Sequence, residues 1–146
     1  MASFSRSVTV DWSGPIMEGK GIAKAGTGAF NLPVTFPSRI GEPAGTTSPE
    51  ELMAASHAAC FAMALNGTLG RKGGAASRTV VTATITADKD DAGIKLTTSK
   101  LHVAAEGVSG MDATQFREAA KEAEGKCPIS NALRGSLDIQ LEVEVK

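Results

Sequence analysis

Alternation of apolar and polar residues predicts six strands in this chain. They are residues 7–12, 19–26, 29–36, 77–90, 91–107 and 136–145. The third contains Pro33, which has no N–H for a ladder, so we expect that strand at a sheet edge or at a bulge. The fourth and fifth form a hairpin with a turn near residues 90–93. Residues 37–47 are expected to be an irregular loop, because proline and glycine recur in them.

Longer segments without this alternation predict helices at residues 49–69, 113–124 and 128–133. The first has clear start signals, since Ser48 suits the cap, Pro49 suits the first helical position and Glu51 completes a capping box. Gly125 is expected to end the second helix. The order of elements, βββ-α-ββ-α-α-β, predicts one α+β domain over residues 1–146 with a mainly antiparallel sheet.

The long helix is apolar or small on every face, with alanine at many of its positions. Such a helix has to be enclosed, and one small sheet covers only one side of it. We therefore predict a homodimer in which a second copy of the chain covers the other side. Residues 52–69 carry no charge, but His57, Asn66 and the alanines make them weakly hydrophobic for a bilayer. We expect a helix buried in protein and no membrane span.

Charge and composition narrow the classes of partner. Lys plus Arg number 15 and Asp plus Glu number 16, so a net charge of −1 argues against a nucleic-acid partner. The longest basic cluster is Arg71-Lys72, which gives no support to docking on a membrane surface. The first residues lack the pattern of a secretory signal, so we expect the protein in the cytoplasm. A purely structural disulfide is not expected in that reducing compartment.

Cys60 is the first candidate for chemistry, and it lies in the middle of the long helix. A thiol with an ordinary pKa of about 8.5 is only about 3% thiolate at pH 7, so a reactive Cys60 needs a cation from elsewhere. The plainer alternative is a small buried hydrophobic residue. His57, one turn earlier, is a candidate partner for the thiol or an ordinary histidine packed against Phe61.

Cys127 is the second candidate and has a different setting. It lies between Gly125, at the end of one helix, and Pro128, at the first position of the next. Unpaired N–H groups at a helix start favour a thiolate, although a cysteine there is also simply a poor cap. Two thiols in different environments suggest a redox cycle of two cysteines.

Three other readings of these residues stay open at this point. A zinc site has a valid ligand set in His57, Cys60, His102 and Cys127, although the usual ligand spacings are missing. A cysteine hydrolase would use Cys60 with His57, but no oxyanion hole is evident. A non-enzymatic redox sensor or peroxide-scavenging dithiol would use the same disulfide without turnover.

Three segments together carry a resemblance to a known family. "SPEELMAASHAACFAMAL", "GKCPISNAL" and the preceding "SRIGEPAGT" resemble the OsmC family (osmotically inducible protein C), which is related to the organic hydroperoxide resistance proteins. The resemblance runs over nearly the whole chain. It implies a thiol peroxidase of oxidative and osmotic stress defence, and an intertwined homodimer in which sheets from both chains wrap two central helices.

The resemblance implies a role for four residues. Cys60 matches the peroxidatic cysteine, which becomes a sulfenic acid, and Cys127 matches the resolving cysteine, which forms a disulfide with it. Arg39 matches the arginine that stabilises the thiolate, and Glu50 matches the acid that orients this arginine. Glu50 and Cys60 are ten residues apart on one helix, about 15 Å along its axis. If two such helices run antiparallel in a dimer, Glu50 and Arg39 of one chain act on Cys60 of the other.

The resemblance also implies the reactants. Organic hydroperoxides are the expected substrates, with hydrogen peroxide a weaker one, and a dithiol, such as a dihydrolipoyl protein, is the expected reductant. No cofactor or metal is expected. The apolar residues predicted to line the substrate pocket are Phe36, Ile40, Phe61, Ile129 and Leu133.

Overall fold

Two three-stranded sheets, one in each part of the chain, organise the fold. The computed structural model describes residues 1–146, which divide into two units, Met1–Leu52 and Met53–Lys146. The expectation of one domain stays a prediction. The elements are β1 (Val8–Ser13), β2 (Lys20–Ala25), β3 (Asn31–Val34), α1 (Phe36–Ile40), α2 (Pro49–Arg71), β4 (Arg78–Asp90), β5 (Gly93–Glu106), α3 (Ala113–Lys126), α4 (Pro128–Leu133) and β6 (Asp138–Val145).

The first unit is built on the antiparallel sheet β1-β2-β3. Pro33 lies in the edge strand β3, as predicted, where its missing N–H costs no ladder bond. Gly21 of β2 is needed for packing across this sheet, because a Cβ there would lie 2.8 Å from Cε3 of Trp12 and 3.0 Å from Cγ2 of Val34.

The expected loop at residues 37–47 is wrong at its start, where the short helix α1 forms. The hydroxyl of Thr35 accepts a hydrogen bond from the N–H of Ser38 (3.3 Å) and caps the helix. Pro37 supports the first turn because its fixed φ suits a helix start. This short helix is what places Arg39.

The second unit holds the mixed sheet β4-β5-β6. β4 and β5 form the predicted hairpin, and Asp90 closes its turn by accepting from the N–H groups of Ala92 (2.8 Å) and Gly93 (3.1 Å). β6 pairs with β5 in parallel, because α3 and α4 carry the chain back across the sheet before β6 begins. The α+β class is confirmed, with one parallel pairing in an otherwise antiparallel arrangement.

The three predicted helices, α2, α3 and α4, start where the sequence predicts. Ser48 accepts from the N–H of Glu51 (3.1 Å), but the Glu51 carboxylate binds the hydroxyl of Thr47 (2.7 Å), so only half of the expected capping box forms. α3 continues through Gly125, which was expected to end it, and stops at Lys126. α4 has the predicted bounds, Pro128–Leu133.

One face of α2 forms the core of the second unit. The core residues come from α2, β5, α3 and the start of α4: Phe61, Leu65, Leu69, Leu101, Val103, Ala105, Phe116, Ala119, Ala120, Ala123 and Cys127. The opposite face of α2 is exposed in the single chain and includes Ala55, Ala59 and Met63, the last with 74% of its surface exposed.

α2 is also long and apolar enough to cross a membrane by length and composition alone. The core helix of a soluble protein has the same length and composition. The homodimer stays a prediction, which the exposed apolar face of α2 motivates.

Candidate active site

The two cysteines, 67 residues apart in the sequence, lie side by side in the second unit. Sγ of Cys127 is 3.0 Å from Sγ of Cys60, and both thiols are free. Cys127 is fully buried in the core, whereas Cys60 is partly exposed. An oxidant that enters from solvent therefore meets Cys60 first and finds the second thiol directly behind it.

Cys127 caps α4, as its position between two helices predicts. Its sulfur accepts a hydrogen bond from the N–H of Ser130 (3.5 Å), and Pro128 occupies the first helical position. The backbone of Cys127 also ends α3. This junction between two helices fixes the direction in which the thiol points.

The immediate contacts of Cys60 oppose its ionisation. Burial raises the pKa of the Cys60 thiol, and the hydrogen bond with Cys127 raises it further. The backbone N–H of Ile129 acts the other way and lowers this pKa, but by less. These contacts keep Cys60 as a thiol at neutral pH, so a reactive thiolate requires another favourable charge.

A cavity of about 420 Å³ opens beside Cys60. Its lining is mostly apolar and consists of Cys60, Met63, Ala64, Gly67, Arg71, Lys126 and Pro128. The ammonium of Lys126 is bonded to Glu122, and the guanidinium of Arg71 donates to the hydroxyl of Thr68 (2.9 Å). The cavity offers an apolar path to the thiol.

Arg39 and Glu50, the other predicted catalytic residues, form an ion pair in the first unit. Nε of Arg39 donates to both carboxylate oxygens of Glu50 (3.1 Å each), and Nη2 donates to Oε1 at 2.6 Å. The hydrogen bonds from Arg39 hold the pKa of Glu50 below its usual range, so the carboxylate stays charged. The bidentate contact fixes the plane of the guanidinium and leaves Nη1 free to bind another group.

Two of the predicted substrate contacts lie close to this ion pair in sequence. Phe36 lines an apolar cavity of about 380 Å³ within the first unit, and Arg39 lines the same cavity. The other lining residues are Val10, Trp12, Ile16, Ala23, Val34, Thr35, Pro49 and Leu52. Ile40, at the end of α1, is 45% exposed. Their part in substrate binding stays a prediction.

The other three predicted pocket residues lie in the second unit. Phe61, on α2, is fully buried in the core of that unit. Ile129 is partly buried and packs against that core, and Leu133 is partly buried in α4. Ile129 also presents its N–H to Cys60. A substrate role for their side chains stays a prediction.

His57 occupies a place that sequence reasoning missed. Its Nδ1 lies 2.6 Å from Oγ of Ser99, and its Nε2 lies 2.7 Å from Oγ of Ser130. Both ring nitrogens are thus engaged by serines, so the imidazole is not placed to act as a base for Cys60 or as a zinc ligand. The one available sequence signal was the position of His57, a polar residue in the largely apolar helix α2.

His102, the fourth residue of the zinc alternative, is also engaged elsewhere. Its Nε2 lies 3.7 Å from a carboxylate oxygen of Glu144, on the neighbouring strand. No group of three or more His, Cys, Asp or Glu side chains has the spacing of a metal site. The ligand set proposed from the sequence is therefore not assembled.

The chain is similar in sequence and in fold to known proteins. Residues 41–142 match the family model described as OsmC-like protein. The chain is 39% identical over 135 residues to peroxiredoxin OsmC of Escherichia coli, which covers 90% of this chain and 92% of the other. It is 42% identical over 99 residues to the organic hydroperoxide resistance protein OhrA of Bacillus subtilis, with 66% and 67% of the two chains covered.

Among solved structures, an organic hydroperoxide resistance protein OsmC from Legionella pneumophila superimposes with a TM-score of 0.79. The two chains are 26% identical, and the match covers 99% of each. The similarity therefore extends over the fold as a whole as well as over the cysteine segments.

Proposed function

Since the chain belongs to the OsmC family and is a thiol peroxidase, we propose that it reduces organic hydroperoxides through a disulfide cycle between Cys60 and Cys127. The observation that carries this proposal is the 3.0 Å contact between the two sulfurs, one accessible and one buried. An apolar cavity beside Cys60 favours organic hydroperoxides over hydrogen peroxide, which gains nothing from apolar walls.

The proposed cycle has three steps: oxidation of Cys60, formation of the disulfide, and reduction of the disulfide. The Cys60 thiolate attacks the terminal peroxide oxygen, the O–O bond breaks, and the alkoxide leaves as an alcohol after taking up a proton. The Cys127 thiol then attacks the sulfenic sulfur, forms the disulfide and releases water. A dithiol, such as a dihydrolipoyl protein, reduces this disulfide by two thiol–disulfide exchanges and is itself oxidised.

In this proposal Arg39 supplies the charge that stabilises the Cys60 thiolate, because Lys126 and Arg71 in the cavity wall are engaged by Glu122 and Thr68. Burial and Cys127 raise the pKa of Cys60, so a cation is needed both for the thiolate and for the charge that develops on the peroxide. Arg39 suits this role because Glu50 fixes its orientation and leaves Nη1 free.

We further propose that Arg39 and Glu50 act on Cys60 of a second chain in a homodimer. Glu50 and Cys60 both lie on α2, ten residues apart, which is about 15 Å along the helix axis. Two α2 helices packed antiparallel through their exposed apolar faces would match Glu50 of one chain with Cys60 of the other. Such a protein would serve oxidative and osmotic stress defence in the cytoplasm.

Intact mass after one equivalent of an organic hydroperoxide tests the cycle directly. Reduced wild-type protein is expected to lose two hydrogens, and Cys127→Ser is expected to gain one oxygen, because its sulfenic acid cannot be resolved. Steady-state turnover with a dithiol then separates an enzyme from a sensor that is oxidised once. Unchanged masses in both proteins would show that Cys60 is an inert core residue.

A further inference from the structure

The imidazole of His57 connects three elements of the second unit inside its core. His57 lies on α2, Ser99 on β5 and Ser130 on α4, and the serines are 42 and 73 residues away in sequence. All three side chains are fully buried. Hydrogen bonds of 2.6 and 2.7 Å in such surroundings are strong, because no water competes for them.

The ring is held neutral in this setting. Burial lowers the pKa of His57, and the nearby charges of Glu124 and Arg134 act in opposite directions. A neutral imidazole has one N–H and one bare nitrogen, so one serine accepts a hydrogen bond and the other donates one. Neither ring nitrogen has a cysteine sulfur as its partner, so the ring exchanges no proton with the thiols directly.

Ser130 links this network to both cysteines. Its N–H donates to Sγ of Cys127 (3.5 Å), and the N–H of the preceding residue, Ile129, faces the sulfur of Cys60. The first turn of α4 thus touches both thiols, and the side chain of Ser130 adds a hydrogen bond from this turn to His57 on α2. This bond is one of the contacts that hold the turn against Cys60.

We propose that His57 is a positioning residue for disulfide closure, holding Ser130 and the first turn of α4 so that Cys127 stays in contact with Cys60. This inference rests on the proposed peroxidase cycle. In the step concerned, the S–O bond of the Cys60 sulfenic acid breaks and the S–S bond forms. The hydroxyl leaves as water with the proton of the Cys127 thiol.

Closure competes with a second oxidation. Another hydroperoxide can transfer its oxygen to the sulfenic acid, which gives a sulfinic acid on Cys60 and an alcohol. The fraction of protein lost in each cycle depends on the rate of closure relative to this second oxidation. His57 therefore protects Cys60 from irreversible oxidation, although it touches neither sulfur.

Ser130→Ala and Ser99→Ala form a matched pair for testing this role. Each removes one buried hydroxyl from His57, but only Ser130 belongs to the helix that carries Cys127. Rapid quenching and intact mass would follow the sulfenic acid and the disulfide separately. We expect Ser130→Ala to slow closure by about tenfold, since small displacements of reacting groups have effects of this order.

The two serine variants are expected to differ in the fate of Cys60 as well. In Ser130→Ala, half-loss to the sulfinic acid should need about tenfold less hydroperoxide, while the rate of the first oxidation stays within about twofold. Ser99→Ala should close at nearly the wild-type rate. Ser130→Thr, which keeps the hydroxyl, should restore closure.

A second pair of variants tests the same point at the ring. His57→Gln places an amide near the position of Nε2 and keeps a partner for Ser130, whereas His57→Asn keeps one near Nδ1 for Ser99. We expect slow closure in His57→Asn and faster closure in His57→Gln. If a serine variant fails to fold, the comparison of His57→Asn with His57→Gln still tests whether the bond between His57 and Ser130 speeds disulfide closure.

Several results would overturn the inference. Equal slowing in Ser99→Ala and Ser130→Ala would show a general loss of packing, and unchanged closure in Ser130→Ala would show that the contact with Ser130 has no effect on this step. A slower first oxidation without slower closure would place His57 in a different step. A wild-type protein that forms no disulfide would overturn the proposed cycle itself, and this inference with it.

Discussion

The Arg39–Glu50 pair in the first unit is ionic and partly exposed, with 29% and 16% of the two side chains accessible. The Cys60–Cys127 pair in the second unit is uncharged, and one of its members is fully buried. The surroundings of the first pair stabilise charge, since the pKa of Glu50 is lowered. The surroundings of the second oppose charge, since the pKa of Cys60 is raised.

This difference suggests a division of work between the two pairs. The partly exposed Cys60 thiol has a resolving partner in contact, but it is a weak nucleophile while protonated. A fixed guanidinium carries charge and a free donor edge, but no group that can be oxidised. The proposed peroxidase needs both properties, and neither pair supplies both.

The largest effect is expected from removing the accessible thiol. Cys60→Ser should reduce hydroperoxide turnover by more than about 10³-fold, because a hydroxyl does not replace the thiolate as nucleophile. Turnover with a dithiol reductant measures this. Cys127→Ser is the control, and it should still reduce one equivalent of hydroperoxide. Substantial turnover in Cys60→Ser would place the reactive group elsewhere.

Removal of the fixed cation should have the next largest effect. Arg39→Met is expected to slow the first oxidation by about 10²-fold, as loss of a charge-stabilising donor does in other active sites. It should also move the pH dependence of Cys60 alkylation to higher pH. Arg78→Met, which removes a surface arginine paired with Glu106, is the matched control. If Arg39→Met and Arg78→Met were oxidised equally fast, Arg39 would not be the cation that activates Cys60.

The two regions should also lose stability in different ranges of pH. His57 has a lowered pKa, so the unfolded state binds a proton that the folded state does not once the pH falls below about 6.5. The free energy of unfolding should then fall by up to about 1.4 kcal/mol per pH unit. Glu50 also has a lowered pKa, and its contribution should be lost only as the pH falls below 4.5.

Urea unfolding between about pH 7.5 and 5 measures the upper range. His57→Gln should flatten the dependence there, whereas Glu50→Gln should leave it unchanged and act only at lower pH. If His57→Gln kept the wild-type pH dependence of the free energy of unfolding, groups other than His57 would be responsible for the loss of stability in the upper pH range.

The smallest effect is expected at Lys126, which lines the cavity beside Cys60. Its ammonium is bonded to Glu122, whose pKa is lowered to about 2 by Lys126 and Lys72, so its charge is already paired. Lys126→Met should change the rate of the first oxidation by no more than about twofold, because an exposed paired charge is well screened. A loss comparable with that in Arg39→Met would make Lys126 the cation that serves Cys60.

Local features of the structure were predictable because their causes are local. Ser48 and Pro49 start α2, and Cys127 with Pro128 starts α4, since caps and proline act on the residues next to them. The alternation of apolar and polar residues marked both ends of every strand to within two residues. The segments that resemble the OsmC family contain both cysteines, Arg39 and Glu50, so these residues could be singled out from the sequence alone.

Where the local sequence signals were weak, the helix boundaries depended on contacts with neighbouring elements. Gly125 did not end α3, because the backbone of Cys127 and the start of α4 set the end of that helix. Short segments such as α1 give too little periodicity for a sequence pattern to detect.

The sequence by itself determined the six strands, three of the four helices and the α+β class, and it singled out the residues proposed to carry the chemistry. Only the tertiary structure decided that β6 lies parallel to β5, that the sulfurs of Cys60 and Cys127 are 3.0 Å apart, and that His57 is bound by Ser99 and Ser130. The reason is physical. Propensities and caps depend on neighbours in sequence, whereas a contact between residues 42 to 73 positions apart depends on how whole elements pack.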